Sequence, residues 1–225
     1  MPTPMVHLLV AKNCVASGYQ VKDLPQFYLG AISPDAIHMR QGANRLAKNV
    51  THLIPSGITS WFDIDQNEYL TFMNGYIAAN KSNVNADFIL GYAIHVLTDM
   101  HWTYTVHSKF AEDYNNSEKP IEERAKAYYY DMDIHEYALY CKYFQNSDIW
   151  QNLQNPDYSD FLDMLTSEEI KLWNERVQSW CDNPENQHKF EDEPKYISAL
   201  DIEKFISSCA ELIVSNMNVL KLDED

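Results

Sequence analysis

The 225-residue chain is poor in cations: 17 lysines and arginines stand against 33 aspartates and glutamates, a formal net charge of -16. That balance excludes an electrostatic track for a polyanion such as duplex nucleic acid, because phosphate contacts supply most of the affinity in such complexes. Small anions are not excluded, since bound cations reverse a local field. Only four cysteines occur, Cys14, Cys141, Cys181 and Cys209, and none shares a CxxC spacing with another. The pattern argues against a disulfide framework or a thiolate zinc site and fits reduced thiols in a cytoplasm. No apolar run reaches the length of a membrane span, so no transmembrane segment is expected. The opening MPTPMVHLLVAKNCVASGYQ has no basic stretch before an apolar run and no small-residue cleavage pattern, so no secretory signal is expected either. Alternating strand patterns and internal repeats are also missing.

What is present is helical. With 45% hydrophobic residues the chain can bury a sizeable core, and we expect a single all-α domain over residues 1–225. Thr3 followed by Pro4 predicts a capped helix running to Gly18. A short helix, a break at Pro34 and a turn are expected in DLPQFYLGAISPDAIHMR. Helices are expected near 43–54, 65–80, 85–109 and 119–146. Thr166 and Glu169 form a capping-box pattern, Ser198 opens a last helix ending near Leu220, and KLDED reads as a frayed acidic tail. The linkers NNSEKP, QNPDYSD and DNPENQHKFEDEPK carry the turn residues. Any chemistry must therefore sit between helices.

Seven of the eight histidines lie within the first 135 residues, and only His188 lies beyond. None is followed by aspartate, which argues against the adjacent His-Asp doublet of a helical HD-type phosphohydrolase. In GYAIHVLTDMHW, residues 91–102, His95 and Asp99 stand four apart. Four residues correspond to about 40° around a helix and about 6 Å along it, so both side chains project into the same space. The flanking FILGYAI and VL leave little polar surface, so this face is expected inside, where an uncompensated carboxylate costs several kcal/mol. Compensation can come from a shared metal, from a hydrogen bond with His95, or from a salt bridge with Arg45 or Lys48. Three further residues have equally local readings: His7 as a core histidine, Asp35 after Pro34 as a helix cap, and His52 as a histidine at a helix end.

Taken in order, HLLVAKN, YLGAISPD, THL and GYAIHVLTD resemble the motifs of the zinc-dependent phospholipase C family, whose all-helical fold is shared with fungal zinc-dependent single-strand nucleases. The resemblance is strongest over residues 5–140 and implies an all-α, multi-helix bundle of that type, with 141–225 as its helical C-terminal part. It implies two or three divalent metals in a cleft, zinc first, with iron, nickel or manganese also suited to histidine and carboxylate ligands. By the same resemblance His7, His52 and His95 are metal ligands, Asp99 bridges metals, and Asp35 ligates or accepts the proton of the attacking water. The implied function is a hydrolase that cleaves a phosphate ester, phosphodiester or phospholipid-like, with a metal-bound hydroxide.

Two departures accompany the resemblance. Secreted members use an N-terminal tryptophan as a ligand, whereas this sequence begins Met1-Pro2. The family also holds a third metal with a histidine after the HxxxD helix and a later HxxxE pair. His107, about 80° from Asp99 on a continuing helix, is the better match for the first, since His101 lies about 160° away. For the second only the reversed pair Asp131 and His135 is available, with Asp133 and Glu136 as competing acids. His38 is a candidate for the outer shell of ligand contacts. The expected substrate is a small phosphate ester or a phospholipid headgroup. The competing reading is a noncatalytic, metal-stabilised binding protein in which the family site has degraded.

Overall fold

The computed structural model describes residues 1–187 and 192–217. His188, the expected end of the last helix near Leu220 and the tail 221–225 lie outside the described residues. Among those described, only helices and loops occur, apart from one antiparallel bridge between Phe161 and Leu165. No helix among them is long and apolar enough to cross a membrane.

Helix α1 (Pro4–Ala16) starts on a proline, whose fixed φ suits a first turn, and stops before Gly18 at φ 107°. The expected Thr3 side-chain cap is not formed; its carbonyl accepts from Val6 and His7. Helix α2 (Leu24–Gly30) begins at an Asp23 cap. Pro34 does not simply break the chain, because Ser33–Met39 winds into a 3-10 helix with Pro34 in its first turn. Helices α3 (Arg45–Thr51), α4 (Gln66–Asn80) and α5 (Ala86–Trp102) open on Asn44, Asp65 and Asn85 caps. Helix α5 does not stop at Trp102. A π-helical turn, Thr103–His107, carries it into α6 (Ser108–Asn115), and another, Tyr140–Phe144, extends α7 (Arg124–Leu139). Helices α8 (Asp148–Asn152), α9 (Ser167–Asp182), α10 (Pro184–Gln187) and α11 (Ala199–Asn216) complete the described chain. Both α9 and α11 open with capping boxes, Thr166 with Glu169 and Ser198 with Asp201.

Helix α5 is the axis. From Phe88 to Met100 every side chain is buried, as expected of a helix apolar on all sides that neighbours surround. Helix α1 packs against α5, α7 and α11, and α2 lies against α5. That last contact is unusually close. A Cβ on Gly91 would overlap the Phe27 carbonyl oxygen and lie 2.8 Å from the Ala31 nitrogen, and one on Gly30 would overlap the Phe88 carbonyl. The Ser33–Met39 segment is held from the other side by α9. Arg40 donates from Nε and Nη2 to the Glu169 carboxylate at 2.6 and 2.8 Å, and from Nη2 to the Met164 carbonyl at 2.8 Å.

Candidate metal centre

Five of the candidate ligands converge where α1, the 33–39 segment, α3 and α5 meet. His7 comes from α1, Asp35 from the 3-10 segment, His52 from the C-cap of α3, and His95 and Asp99 from α5. All five are buried, Asp99 completely. Two overlapping groups place one ligand atom per residue within 4.8 Å of the others: His7, Asp35 and His95, and His52, His95 and Asp99.

The orientation of the histidines is set by backbone carbonyls. His95 Nδ1 lies 2.8 Å from the Ala31 carbonyl, and His52 Nδ1 lies 2.9 Å from the Lys48 carbonyl. A carbonyl only accepts, so each Nδ1 carries the proton and each Nε2 presents a lone pair. Both lone pairs face carboxylates. His52 Nε2 is 3.3 Å from Asp35 Oδ1 and from Asp99 Oδ2, while His95 Nε2 is 3.9 and 3.8 Å from Asp35 Oδ2 and Asp99 Oδ2. His7 stacks on His95 with ring centroids 3.7 Å apart and puts Nε2 3.5 Å from Asp99 Oδ1. Both nitrogens of His7, Nε2 of His52 and His95, and both oxygens of Asp99 are buried without a hydrogen bond. Buried polar atoms are nearly always paired. Lone pairs turned on anions at these distances are stable only with a cation or protons between them, and the donor set of imidazoles and carboxylates fits a divalent metal.

The electrostatics divide the histidines. Burial, reinforced by His95, pushes the His7 imidazolium well below its ordinary range, and burial also lowers His95; both are neutral, as ligands must be. Burial lowers His52 too, but contacts with Asp35 and Asp99 outweigh it and raise its pKa. For Asp99 burial favours the neutral acid, yet His52, His95 and His7 prevail and hold it at about 2. Asp35 is likewise held down against burial, chiefly by the Lys48 ammonium 2.8 Å from Oδ1. Of the two salt-bridge partners weighed for Asp99, Lys48 therefore serves Asp35, while Arg45 donates to the Thr59 carbonyl at 2.6 Å. His38 Nε2 stands 3.4 Å from Asp35 Oδ1 and 3.1 Å from Lys48 Nζ.

The remaining candidates are not brought into either group. Asp131 accepts from the backbone nitrogens of Lys195, Tyr196 and Ile197 at 2.9, 2.6 and 2.9 Å, and His135 Nε2 donates to the Ile197 carbonyl at 2.7 Å. Both clamp the chain entering α11. His107 borders a cavity, with its imidazolium pushed down to about 4 mainly by burial; the π turn ending at this residue alters the phase expected for a regular helix. His101 stacks on Phe205 of α11.

Glu136, one of the competing acids, has a different task. It is buried, accepts from the Met5 amide at 3.3 and 3.1 Å, and burial pushes its carboxyl up to about 8. Folded protein thus keeps a proton that the unfolded chain releases above the ordinary 4.5. The stabilisation is complete below that value and is lost as pH rises toward about 8. Its upper bound is roughly 5 kcal/mol at 1.36 kcal/mol per pKa unit. Glu136→Gln keeps an acceptor for Met5 without titrating, so its unfolding free energy is expected to fall less than the parent's between pH 5 and 8. Denaturant titrations of both metal-free proteins across that range check this.

Two cavities flank Lys48 and His38. One, of about 550 Å³, reaches His52, Arg45, Trp61 and His107. The other, of about 270 Å³, reaches Asp35, Glu136 and Trp173. Met1 borders both; its amino group is buried near Asp99, and burial lowers its pKa.

A family model described as zinc-dependent phospholipase C matches residues 6–192. Comparison with curated proteins and with solved structures gave no match.

Proposed function

The chain belongs to the zinc-dependent phospholipase C family, and we propose that it is a metal-dependent hydrolase of phosphate esters. His7, His52, His95, Asp35 and Asp99 would hold the metal, zinc first, with iron, nickel or manganese compatible with the same donors. A phosphodiester or phospholipid-like ester would enter by the 550 Å³ cavity. The observation that carries the reading is the pair of Nδ1-anchored histidines, His52 and His95, whose Nε2 lone pairs face buried carboxylates. Divalent metal held there supplies Lewis acidity, bringing the pKa of water toward neutrality and offsetting charge on phosphoryl oxygens.

The chain's own residues do the rest. Asp35, kept ionised by Lys48, either ligates or takes the proton of the attacking water. Lys48 holds Asp35 Oδ1 in place, and the Ala31 and Lys48 carbonyls hold the imidazoles. Water's oxygen bonds to phosphorus, the ester P–O bond breaks, and the alcohol leaves with a proton. A cytoplasmic setting is supported by free Cys14, Cys181 and Cys209 in the core and free Cys141 on the surface.

One observation favours a noncatalytic metal clamp: Asp131 and His135 are engaged by 195–197. Turnover decides between the two. Protein reconstituted with zinc or manganese, its metal content measured, is expected to hydrolyse members of a phosphodiester and phosphomonoester panel and to stop on chelation. Metal-replete protein inert on the whole panel would replace the hydrolase reading with the clamp.

A further inference from the structure

The larger cavity beside the metal centre departs from the acidity of the chain as a whole. Although acids outnumber Lys and Arg 33 to 17 in the sequence, no Asp or Glu borders this cavity among the described residues. Its charged and titratable border is basic throughout: His38, Arg45, Lys48, His52 and His107. Three of these already have partners, His38 Nε2 standing 3.4 Å from Asp35 Oδ1. Lys48 is paired with Asp35 at 2.8 Å, and His52 points Nε2 at the candidate metal ligands. Arg45 is different. Its one hydrogen bond is donated by Nη2 to the neutral Thr59 carbonyl at 2.6 Å, and among the described residues no carboxylate lies within 4.0 Å of its guanidinium. Arg40, five residues earlier, shows the contrast, because its guanidinium is bidentate on Glu169.

The rest of the wall mixes neutral polar side chains, among them Asn44, Asn49 and Thr103, with apolar and aromatic ones. Trp61 is buried, Phe62 is 54% exposed, and Ile37 and Ile54 add aliphatic surface. Aromatic faces alone would suit a quaternary ammonium. The bond to Thr59, however, ties Arg45 to the stretch that leads into Trp61, and no acid on the wall offsets it. A cationic headgroup would meet the exposed Arg45 guanidinium with no wall carboxylate to attract it, an unfavourable like-charge contact. A carboxylate or second phosphate would meet a guanidinium with free donors, the geometry that suits bidentate recognition of such groups.

We propose that this cavity selects phosphate esters that carry a second negative charge beyond the reacting phosphorus, a carboxylate or further phosphate on a short apolar spacer, with Arg45 as the specificity-determining residue. The proposal rests on the hydrolase reading for its orientation: the phosphate faces His52 and the second anion faces Arg45. A cationic headgroup such as choline or ethanolamine is disfavoured.

Two matched pairs of probes separate this from the hydrolase reading. For binding, calorimetry compares 2-carboxyethylphosphonate with 2-aminoethylphosphonate, which share a skeleton, do not hydrolyse and differ in terminal charge. At least tenfold tighter binding of the carboxylate is expected in metal-loaded protein, and Arg45→Gln and Arg45→Glu are expected to reduce that ratio progressively. Equal binding, or a ratio unchanged in both variants, overturns the proposal whether or not the protein is an enzyme. For turnover, the 4-nitrophenyl phosphodiesters of 3-hydroxypropionate and of choline are compared by kcat/KM, with the same direction expected. An Arg45-dependent binding preference without turnover of either ester supports the charge selection and removes the hydrolase reading. Faster hydrolysis of the choline ester overturns the selection and retains the hydrolase. Vesicles containing phosphatidylinositol 4-phosphate distinguish the source of the anion. Cleavage there in preference to phosphatidylcholine supports an anionic lipid headgroup, and preference confined to the soluble ester supports a small metabolite.

Discussion

Asp99→Ala is expected to lose bound metal and phosphate ester hydrolysis together. Asp99 is fully buried, both its oxygens lack hydrogen bonds, and three imidazole nitrogens approach it at 3.3 to 3.8 Å. Alanine removes the carboxylate that stands within 3.8 Å of all three histidines. Changing a group that merely orients a ligand costs about 10–100-fold in metal affinity, so removing a ligand itself is expected to exceed that range. Elemental analysis after dialysis against a weak chelator gives the first readout. Thermal unfolding gives a second: metal at 100 times its Kd stabilises the parent by about 2.7 kcal/mol. That metal-induced rise in Tm should disappear in the variant. Unchanged metal content in Asp99→Ala would remove the assignment of this cluster as a metal centre.

Gly91→Ala should strongly destabilise the fold. The new Cβ would overlap the Phe27 carbonyl and crowd the Ala31 nitrogen, both backbone atoms that cannot rotate away. Overpacking of a core typically costs about 1–3 kcal/mol, and backbone obstruction belongs at the upper end or beyond. The same displacement moves the Ala31 carbonyl, which anchors His95 Nδ1 at 2.8 Å, so metal affinity should fall with stability. Gly75→Ala supplies the control. It lies within α4 with nothing near its would-be Cβ, and should stabilise by about 0.5–1 kcal/mol through helix propensity alone. Denaturant midpoints of the two variants should move in opposite directions. A Gly91→Ala protein as stable as the parent would contradict the close α2–α5 contact.

The sequence makes the helical class and the five-residue cluster legible for different reasons. Helix starts are local chemistry, and Thr166 with Glu169 needs only its own four-residue window. His95 and Asp99 are legible because helical spacing projects them together; His7, Asp35 and His52 needed the family resemblance, since each alone has a common structural reading. What orients the cluster leaves no mark in the sequence. The groups that fix the histidine tautomers are the carbonyls of Ala31 and Lys48, and any residue type carries a carbonyl. Asp131 and His135 look like ligands by residue type and spacing, but their partners stand some 62 to 66 residues away at 195–197. For His107, a helix phase extrapolated from Asp99 assumes regular turns where the chain winds a π turn, and the residue lies outside both groups. Arg45 and the acid-free cavity border emerge only from tertiary proximity.

The Arg40 contact with Glu169 and the Met164 carbonyl has a consequence for the order of biosynthesis. All five candidate ligands have been translated by residue 99, yet the segment bearing Asp35 is moored to residues 164 and 169, and α1, which bears His7, is covered by α11. A ribosome-bound chain that already displays every ligand lacks the buttresses that set their spacing. Cation capture at this cluster is therefore expected to follow emergence of the C-terminal helices rather than to precede it.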